Sequence, residues 1–487
     1  MGYRIREIEA ETKFCEELTI EAISRVLPKK TIEAALAAEN VKATRVRKLD
    51  FIITVFIVIG MSLYPMMSIG HVMQKLGKGL RFLWPDPEIG LVKDSGISYR
   101  RYKLGAKVMQ RLFQMICQPI ATEKTRGAFL FGLRLMAIDG TEETVADTPT
   151  NEAAFGRHKT GRGKAGYPQV QNVYLAECGT HVIVDAGFWP IHTSERVGGH
   201  RMLRSVTEGM LLMWDRGFHS YDMLVAAKKK GAQILGRLPA HVKPEVVRPL
   251  SDGSYLAYLK PSDYKRRKQG ERCLVRVIEY RVTDPALADP NELHRLVTTL
   301  LDADLYPLHE LVCAFHERWE IEIAIDEIKT HQRLSQRTLR SLKPVGVIQE
   351  LYGLLLAHFI IRFLMHEAAL LADVDPDRLS FVHALEVVKD SISEFQMVAR
   401  SQLTLLYQRL LRDIARGRLP KRRNRINPRV VKCKMSKFLK KRPEHYAWPQ
   451  PSADFRDSIS PVIHQTHPSH EEPILSADAP SQTVLLI

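Results

Sequence analysis

The chain has 487 residues, 45% hydrophobic and 26% charged, a balance that fits a folded globular protein of several domains and excludes a low-complexity or fibrous one. The formal net charge is +16, and Arg412 to Arg442 holds fourteen Lys or Arg against one acid, Asp413, so most of the excess is local and suits a polyanion such as nucleic acid. Six scattered cysteines without a Cys-x-x-Cys pair exclude a zinc knuckle and read as reduced thiols.

Residues 1–125 read as helical. The stretch 31–40 is Ala-rich, 45–63 and 69–82 are apolar runs with basic flanks, and 99–119 has helical spacing. The charged start, 1–14, argues against a secretory signal. No charge falls within 51–70, but its strongly apolar part is about 14 residues where a spanning helix needs about 20. A buried core helix is therefore expected there, not a membrane span. A separate helical module follows from this region, its helices either binding DNA or only packing.

From about 130 the pattern changes. The run 133–138 is a strand ending in Asp139-Gly140. Runs 172–177 and 181–188 flank Cys178-Gly179-Thr180, a hairpin pattern. A helix over 194–208 precedes a buried strand, 210–214, that ends in Asp215-Arg216-Gly217-Phe218. A helix over 221–230 and a strand over 233–238 complete a mixed sheet with helical layers. Short β-like runs at 254–259, 273–282 and 296–301 surround the basic tip Lys265, Arg266, Arg267, Lys268, and read as a β-rich insertion. One long helix is expected over 307–332, then helices to about 416, and a tail beyond 443 too polar to order.

Asp139 and Asp215 both end apolar strands, where side chains project into a crevice. An Asp there also commonly caps a turn. The long helix adds a third acid. At 100° per residue, with Phe315 at 0°, Arg318, Glu322 and Lys329 fall within roughly 60° of arc and Trp319 lies beside them. Such a face is neither an apolar core face nor an ordinary solvent face. Its bland reading is an i, i+4 ion pair between Arg318 and Glu322. Asp326 falls on the same face, so helical geometry leaves it open as the third acid. Three carboxylates suit phosphodiester cleavage, in which two Mg²⁺ ions activate water and stabilise the leaving oxygen.

Here the sequence resembles bacterial insertion-sequence transposases of the insertion-element-four type, with a ribonuclease H-like DDE core. Their marker is Tyr, two residues, Arg, three residues, Glu, six residues, Lys. Phe315, Arg318, Glu322 and Lys329 have that spacing, with Phe in place of Tyr. The marker selects Glu322 over Asp326. Ile138-Asp139-Gly140-Thr141 and Trp214-Asp215-Arg216-Gly217-Phe218 resemble the family's two Asp motifs, and the loop from Phe155-Gly156-Arg157 to Tyr167-Pro168-Gln169 is family-like.

The resemblance implies a transposase that binds terminal inverted repeats, nicks the element's end, and uses the freed 3′-hydroxyl for strand transfer. It implies Asp139, Asp215 and Glu322 as catalytic metal ligands for Mg²⁺, with Mn²⁺ able to substitute, at two ions per site. It implies phosphate contacts from Arg318 and Lys329. Phe315 lacks the family hydroxyl, though its ring can still stack. The insertion has no Trp to hold a flipped base, leaving Tyr255, Tyr258, Tyr264 and Tyr280 as substitutes.

The fold expected is an α/β catalytic core over 130–370, a ribonuclease H-like mixed sheet with flanking helices and a β-rich insertion at about 240–305. An all-helical N-terminal domain, 1–125, would bind DNA ends. C-terminal helices over 371–416, a basic DNA-binding segment over 417–442 and a disordered tail over 443–487 would follow. Further DNA contacts are expected from Trp319, Arg216, Arg157, Lys159, Arg162, Lys164, the tip residues, and Lys421, Arg422 and Arg423. The expected partners are element-end and target DNA and a second copy of the chain, without a membrane, in the cytoplasm at the nucleoid. The alternatives are a metal-dependent nuclease of the same fold and an inactive DNA-binding descendant.

Overall fold

A computed structural model describes residues 2–8, 23–42, 49–84, 92–160, 163–334, 338–419, 452 and 454–463. Arg162, Lys421, Arg422 and Arg423 lie outside the described residues.

The N-terminal region is helical: α1 (Lys29–Ala38), α2 (Phe51–Leu63), α3 (Ile69–Leu76), α4 (Lys78–Leu83) and α5 (Asp94–Ile116). Asp50 starts α2, its carboxylate accepting from the Ile53 amide at 2.7 Å. All of α2 except Ile52 is buried, which is what a helix apolar on every side requires.

A nine-strand path then forms. It starts with β2 (Leu133–Thr144), which pairs with the two-residue β1 (Phe129–Leu130). Helix α6 (Pro149–Phe155) and the small ribbon β3 (Lys159–Thr160) and β4 (Gly163–Lys164) lead to β5 (Gln169–Glu177) and β6 (Ile183–Pro190). These last two are the expected hairpin, turning where Gly179 adopts φ +80°. Helix α7 (Glu195–Met202) crosses to β7 (Met210–Trp214), followed by α8 (Tyr221–Lys229) and β8 (Gln233–Arg237). The order β6-β5-β2-β7-β8 has β2, β7 and β8 parallel and the hairpin antiparallel.

The insertion does not stand apart from this sheet. Its strands are β9 (Glu245–Pro249), β10 (Tyr255–Leu259), β11 (Cys273–Val282) and β12 (His294–Thr298), with the basic tip coiled into α9 (Tyr264–Lys268). β12 pairs antiparallel with β8, so β12-β11-β10-β9 extends the core sheet.

The expected helix over 307–332 is divided. It comprises α10 (Leu308–Glu317), α11 (Trp319–Asp326) and a π-helical turn, Glu327–Gln332. Arg318 joins α10 to α11 with helical dihedrals, and tighter i to i+3 bonds, Arg318 N to Phe315 O and Ile321 N to Arg318 O, both 3.2 Å, mark the joint.

Then come α12 (Pro344–Ala372), α13 (Phe381–Met397), α14 (Leu403–Arg416) and β13 (Ile459–Pro461). Helix α12 is long and apolar enough to cross a membrane by length and composition, yet 78% of its most apolar window is buried inside the protein. It packs along α2, α5 and α14, so the N-terminal helices share a core with the C-terminal ones. The tail expected to be wholly disordered is ordered in part. β13 pairs with β11, burying Ile459, and the Ser452 amide donates to Asp284 at 2.7 Å. A polar average over 443–487 concealed that short apolar edge strand.

Candidate active site

Parallel pairing brings the first two acids together. Ile138 on β2 is in register with Trp214 on β7, so the next residues, Asp139 and Asp215, lie side by side at one level. Asp215 follows the end of β7, but β2 does not end at Asp139-Gly140 as expected and runs on to Thr144, paired with β5. Residues 135–138 of β2 and all of β7 are buried, and Asp139 and Asp215 that follow are only partly buried. The Gly140 amide donates to Asp139 Oδ1 at 2.7 Å. Asp215 Oδ1 accepts from the Gly217 and Phe218 amides at 2.8 and 3.3 Å, so this carboxylate also shapes its own turn.

Helix α11 packs against β2 and carries Glu322, the residue expected as the third acid. Arg318 is buried at its start. Its Nη2 donates to Glu322 Oε1 at 2.9 Å, and Nη1 lies 3.9 Å from Asp139 Oδ2. Burial, then the neighbouring charges of Glu322 and Asp215, lift the Asp139 carboxyl to about 7, against the lowering pull of the Gly140 amide and Arg318. The same-face competitor is turned away: Asp326 is exposed, accepts from Thr330 Oγ1 at 2.6 Å, and lies 3.6 Å from His331.

The π-helical turn aims Lys329 back at the sheet. Its Nζ donates to Thr141 Oγ1 at 2.8 Å and to the Glu142 carbonyl at 3.0 Å. A widened turn shifts the side chains that follow it, and such turns cluster at functional sites. Behind this face the same turn is anchored by buried charge. Glu327 accepts from Arg362 Nε at 2.8 Å and lies 3.0 Å from His358 Nε2, both on α12. Burial alone would raise the Glu327 carboxyl, but Arg362, His181 and His358 outweigh it and hold it well below its usual range. On α11, Glu320 accepts from the Gly179 amide in the β5–β6 turn.

Residues 17–114 match the insertion element 4 transposase N-terminal family, and residues 130–360 match the transposase DDE domain family. The chain is 30% identical over 417 residues to the Escherichia coli K12 transposase InsG for insertion sequence element IS4, covering 84% of this chain and 90% of InsG. This protein belongs to the IS4-type DDE transposases. It is also 30% identical over 158 residues to the E. coli K12 putative transposase InsZ, covering 32% of this chain and 53% of InsZ. A piggyBac transposase synaptic complex with hairpin DNA has a TM-score of 0.41, 9% identity, and coverage of 85% of this chain and 88% of that one.

A DDE transposase acts on DNA and depends on divalent metal. The chemistry of the donors here fits that need. Asp139, Asp215 and Glu322 offer hard carboxylate oxygens, and Arg318 is the cation set among them.

The residues expected to meet DNA are unequally placed. Trp319 is 48% exposed, and Phe315 is half-buried with the Arg318 guanidinium 5.8 Å from its ring centre. Arg216 is exposed beside Asp215. Arg157 is committed within its loop, pairing with Asp147 and Glu152 and donating to the Ala165 and Gly166 carbonyls. Lys164 is exposed, 3.3 Å from Glu152, and Lys159 opens β3. At the tip, Arg266 binds Glu271 and reaches across to Asp222 on α8, while Lys265, Arg267 and Lys268 are exposed. Of the four insertion tyrosines, Tyr255 and Tyr280 are buried and Tyr258 is half-buried beneath Arg272, leaving Tyr264 exposed.

Sequence reasoning passed over Glu195, in the first turn of α7. Its Oε1 lies against Gly140, where a Cβ would sit 2.6 Å from it, and Gln171 Nε2 is 3.4 Å away. Burial, then the charge of Asp215, lifts the Glu195 carboxyl above its usual range. The only signal in the sequence was an acid opening the helix after a hairpin, which a helix N-terminus explains equally well.

Proposed function

We propose that Asp139, Asp215 and Glu322 hold two Mg²⁺ ions and that this transposase cleaves at terminal inverted repeats and joins the freed end to target DNA as a homodimer. The observation that carries the assignment is geometric. Two acids lie side by side on neighbouring parallel strand paths, and one guanidinium spans Asp139 and Glu322 from the facing helix.

When bound, the ions supply an activated water and neutralise the leaving oxygen. The chain's own residues do the rest. The Gly140, Gly217 and Phe218 amides fix the two Asp carboxylates before DNA arrives. Arg318 holds Glu322 towards Asp139 and offers its guanidinium to a strand phosphate. Lys329, held by Thr141 and Glu142, meets the next phosphate. Trp319 and Phe315 pack against the cut end, with the exposed Arg216 and Lys164 beside them, and Lys159 and Arg162 add phosphate contacts. Lys265, Arg267, Lys268, Lys421, Arg422 and Arg423 grip the backbone without reading sequence. Arg157 serves mainly to hold its loop. The helices of 1–125 bind the repeat.

The test is incubation with labelled element-end DNA and Mg²⁺. Strand-transfer products are expected from the wild type and none from Asp139→Asn, Asp215→Asn or Glu322→Gln. Undiminished transfer by any of the three would remove that residue from the site.

A further inference from the structure

We infer that Glu195 is a fourth carboxylate of the metal site, one that strengthens divalent-metal binding beside Asp139 and Asp215. The inference rests on the assignment of Asp139, Asp215 and Glu322 proposed above.

Its basis is the space beside Gly140. The amide of Gly140 fixes the Asp139 carboxylate, and the empty side-chain position of the same residue admits Glu195. A methyl group there would lie 2.6 Å from Glu195 Oε1, closer than carbon and oxygen can approach. One glycine thus serves two acids. Helix α7 delivers Glu195 because it packs on β5, β6 and β2, and its first turn meets β2 at Gly140, next to Asp139.

What surrounds Glu195 is chemically lopsided. Among the described residues its hydrogen-bond partner is a single neutral amide, Gln171, at the long distance of 3.4 Å. No Lys, Arg or His among them forms an ion pair with it, and the nearest charges that bear on it are those of Asp215 and Glu142. Glu195 is exposed and turned towards other acids with no base of its own, so a cation from outside the chain would relieve the repulsion among them. The divalent metal on which the family depends is such a cation, and hard oxygen donors are what Mg²⁺ prefers, keeping several waters for carboxylates to orient.

The probe is Mn²⁺, whose free form is counted by electron paramagnetic resonance with the full-length protein and no DNA. Glu195→Gln keeps size and shape at an exposed position and leaves the fold intact. The expected result is Mn²⁺ binding weakened by about 10–100-fold, the usual effect of losing a group that orients metal ligands. Cleavage should then need correspondingly more Mg²⁺. Glu195→Asp should fall between the variant and wild type. A Glu195→Gln isotherm that superimposes on the wild type overturns the inference. Asp139→Asn in the same assay separates the two levels. If it loses Mn²⁺ while Glu195→Gln does not, only the role of Glu195 fails. If it binds Mn²⁺ and cleaves like wild type, the three-acid assignment itself fails.

Discussion

Arg318 donates to Glu322 one helical turn away at 2.9 Å, and its other terminal nitrogen lies 3.9 Å from Asp139 on the facing strand. One buried guanidinium therefore bridges two of the three proposed metal ligands. Arg318→Ala should release Glu322 and lower cleavage by about 10²-fold, the scale expected when a reacting group is misplaced by about an ångström. Arg318→Lys should recover only part of this, because an ammonium lacks the planar fork that reaches both carboxylates. Cleavage rates at saturating Mg²⁺ check both. Equal rates for Arg318→Lys and wild type would show that the bridge is unimportant.

The raised Asp139 carboxyl predicts a pH effect with a definite sign. Its ordinary value is 3.8 and its folded value about 7. Between these, the folded protein keeps a proton that the unfolded chain has released. The metal-free protein therefore loses stability as pH rises from about 4 to about 7, and this group contributes no further change above that. Asp139→Asn has no such proton, so its Tm should gain on that of the wild type across the window. Divalent metal competes with the proton, and added Mg²⁺ should shrink the difference near pH 7. Parallel Tm–pH curves for the two proteins would contradict the prediction.

Helical position in the sequence left Glu322 and Asp326 as rivals, separated only by family spacing. In the structure Glu322 faces Arg318, whereas Asp326 is bonded to Thr330 near the surface. Asp326→Asn should leave cleavage within about twofold of wild type, as expected for an exposed group outside the chemistry. Glu322→Gln should cost about 10³-fold, several kcal/mol of lost charge stabilisation. The same DNA cleavage assay ranks them, and the reverse order would assign the third acid to Asp326.

What could be read in advance follows the range of the forces involved. Strand patterns and the helix face are local, so the strands beside Asp139 and Asp215 and the helical stretch carrying Arg318, Glu322 and Lys329 were legible, although β2 runs past the turn expected at Asp139. The break at Arg318 and the π-helical turn were not, because a periodicity of 3.6 assumes regular winding. Glu327 illustrates the reason. Its ties to Arg362 and His358, more than thirty residues on, hold the widened turn, and no local pattern announces them. Glu195 was illegible for a similar reason, since its meaning comes from Gly140, which is distant in sequence and adjacent only across the crossover. The insertion's strands were visible as strands, but their continuity with the core depends on β12 pairing with β8.

Lys329 sits where structure and DNA contact compete. Its ammonium donates to Thr141 Oγ1 and the Glu142 carbonyl, and burial lowers its proton affinity, offset in part by the Glu142 charge. Thr141→Val removes one acceptor and should cost about 1 kcal/mol of stability, with cleavage nearly kept. Lys329→Met should lose a similar stability and also weaken binding to element-end DNA, with a smaller salt slope, because one phosphate contact is gone. Urea unfolding and a salt series of binding isotherms separate the two effects. An unchanged salt slope in Lys329→Met would confine the residue to a structural role.

The buried ion pair behind the site should matter through position. Arg362 and Glu327 are both almost fully buried, and they join α12 to the turn that carries Lys329. Removing one partner leaves an uncompensated charge, so Arg362→Met should destabilise the protein by about 3–5 kcal/mol. Adding Glu327→Gln removes the stranded carboxylate, and the double variant should recover a large part of that loss. Cleavage should not recover with it. Without the pair, the π-helical turn loses its reason to stay widened, and relaxation to ordinary helix would rotate Lys329 away from Thr141. Urea unfolding should thus show partial rescue while the cleavage rate stays low. Recovery of both together would mean that the pair supports the fold without setting the geometry of the site.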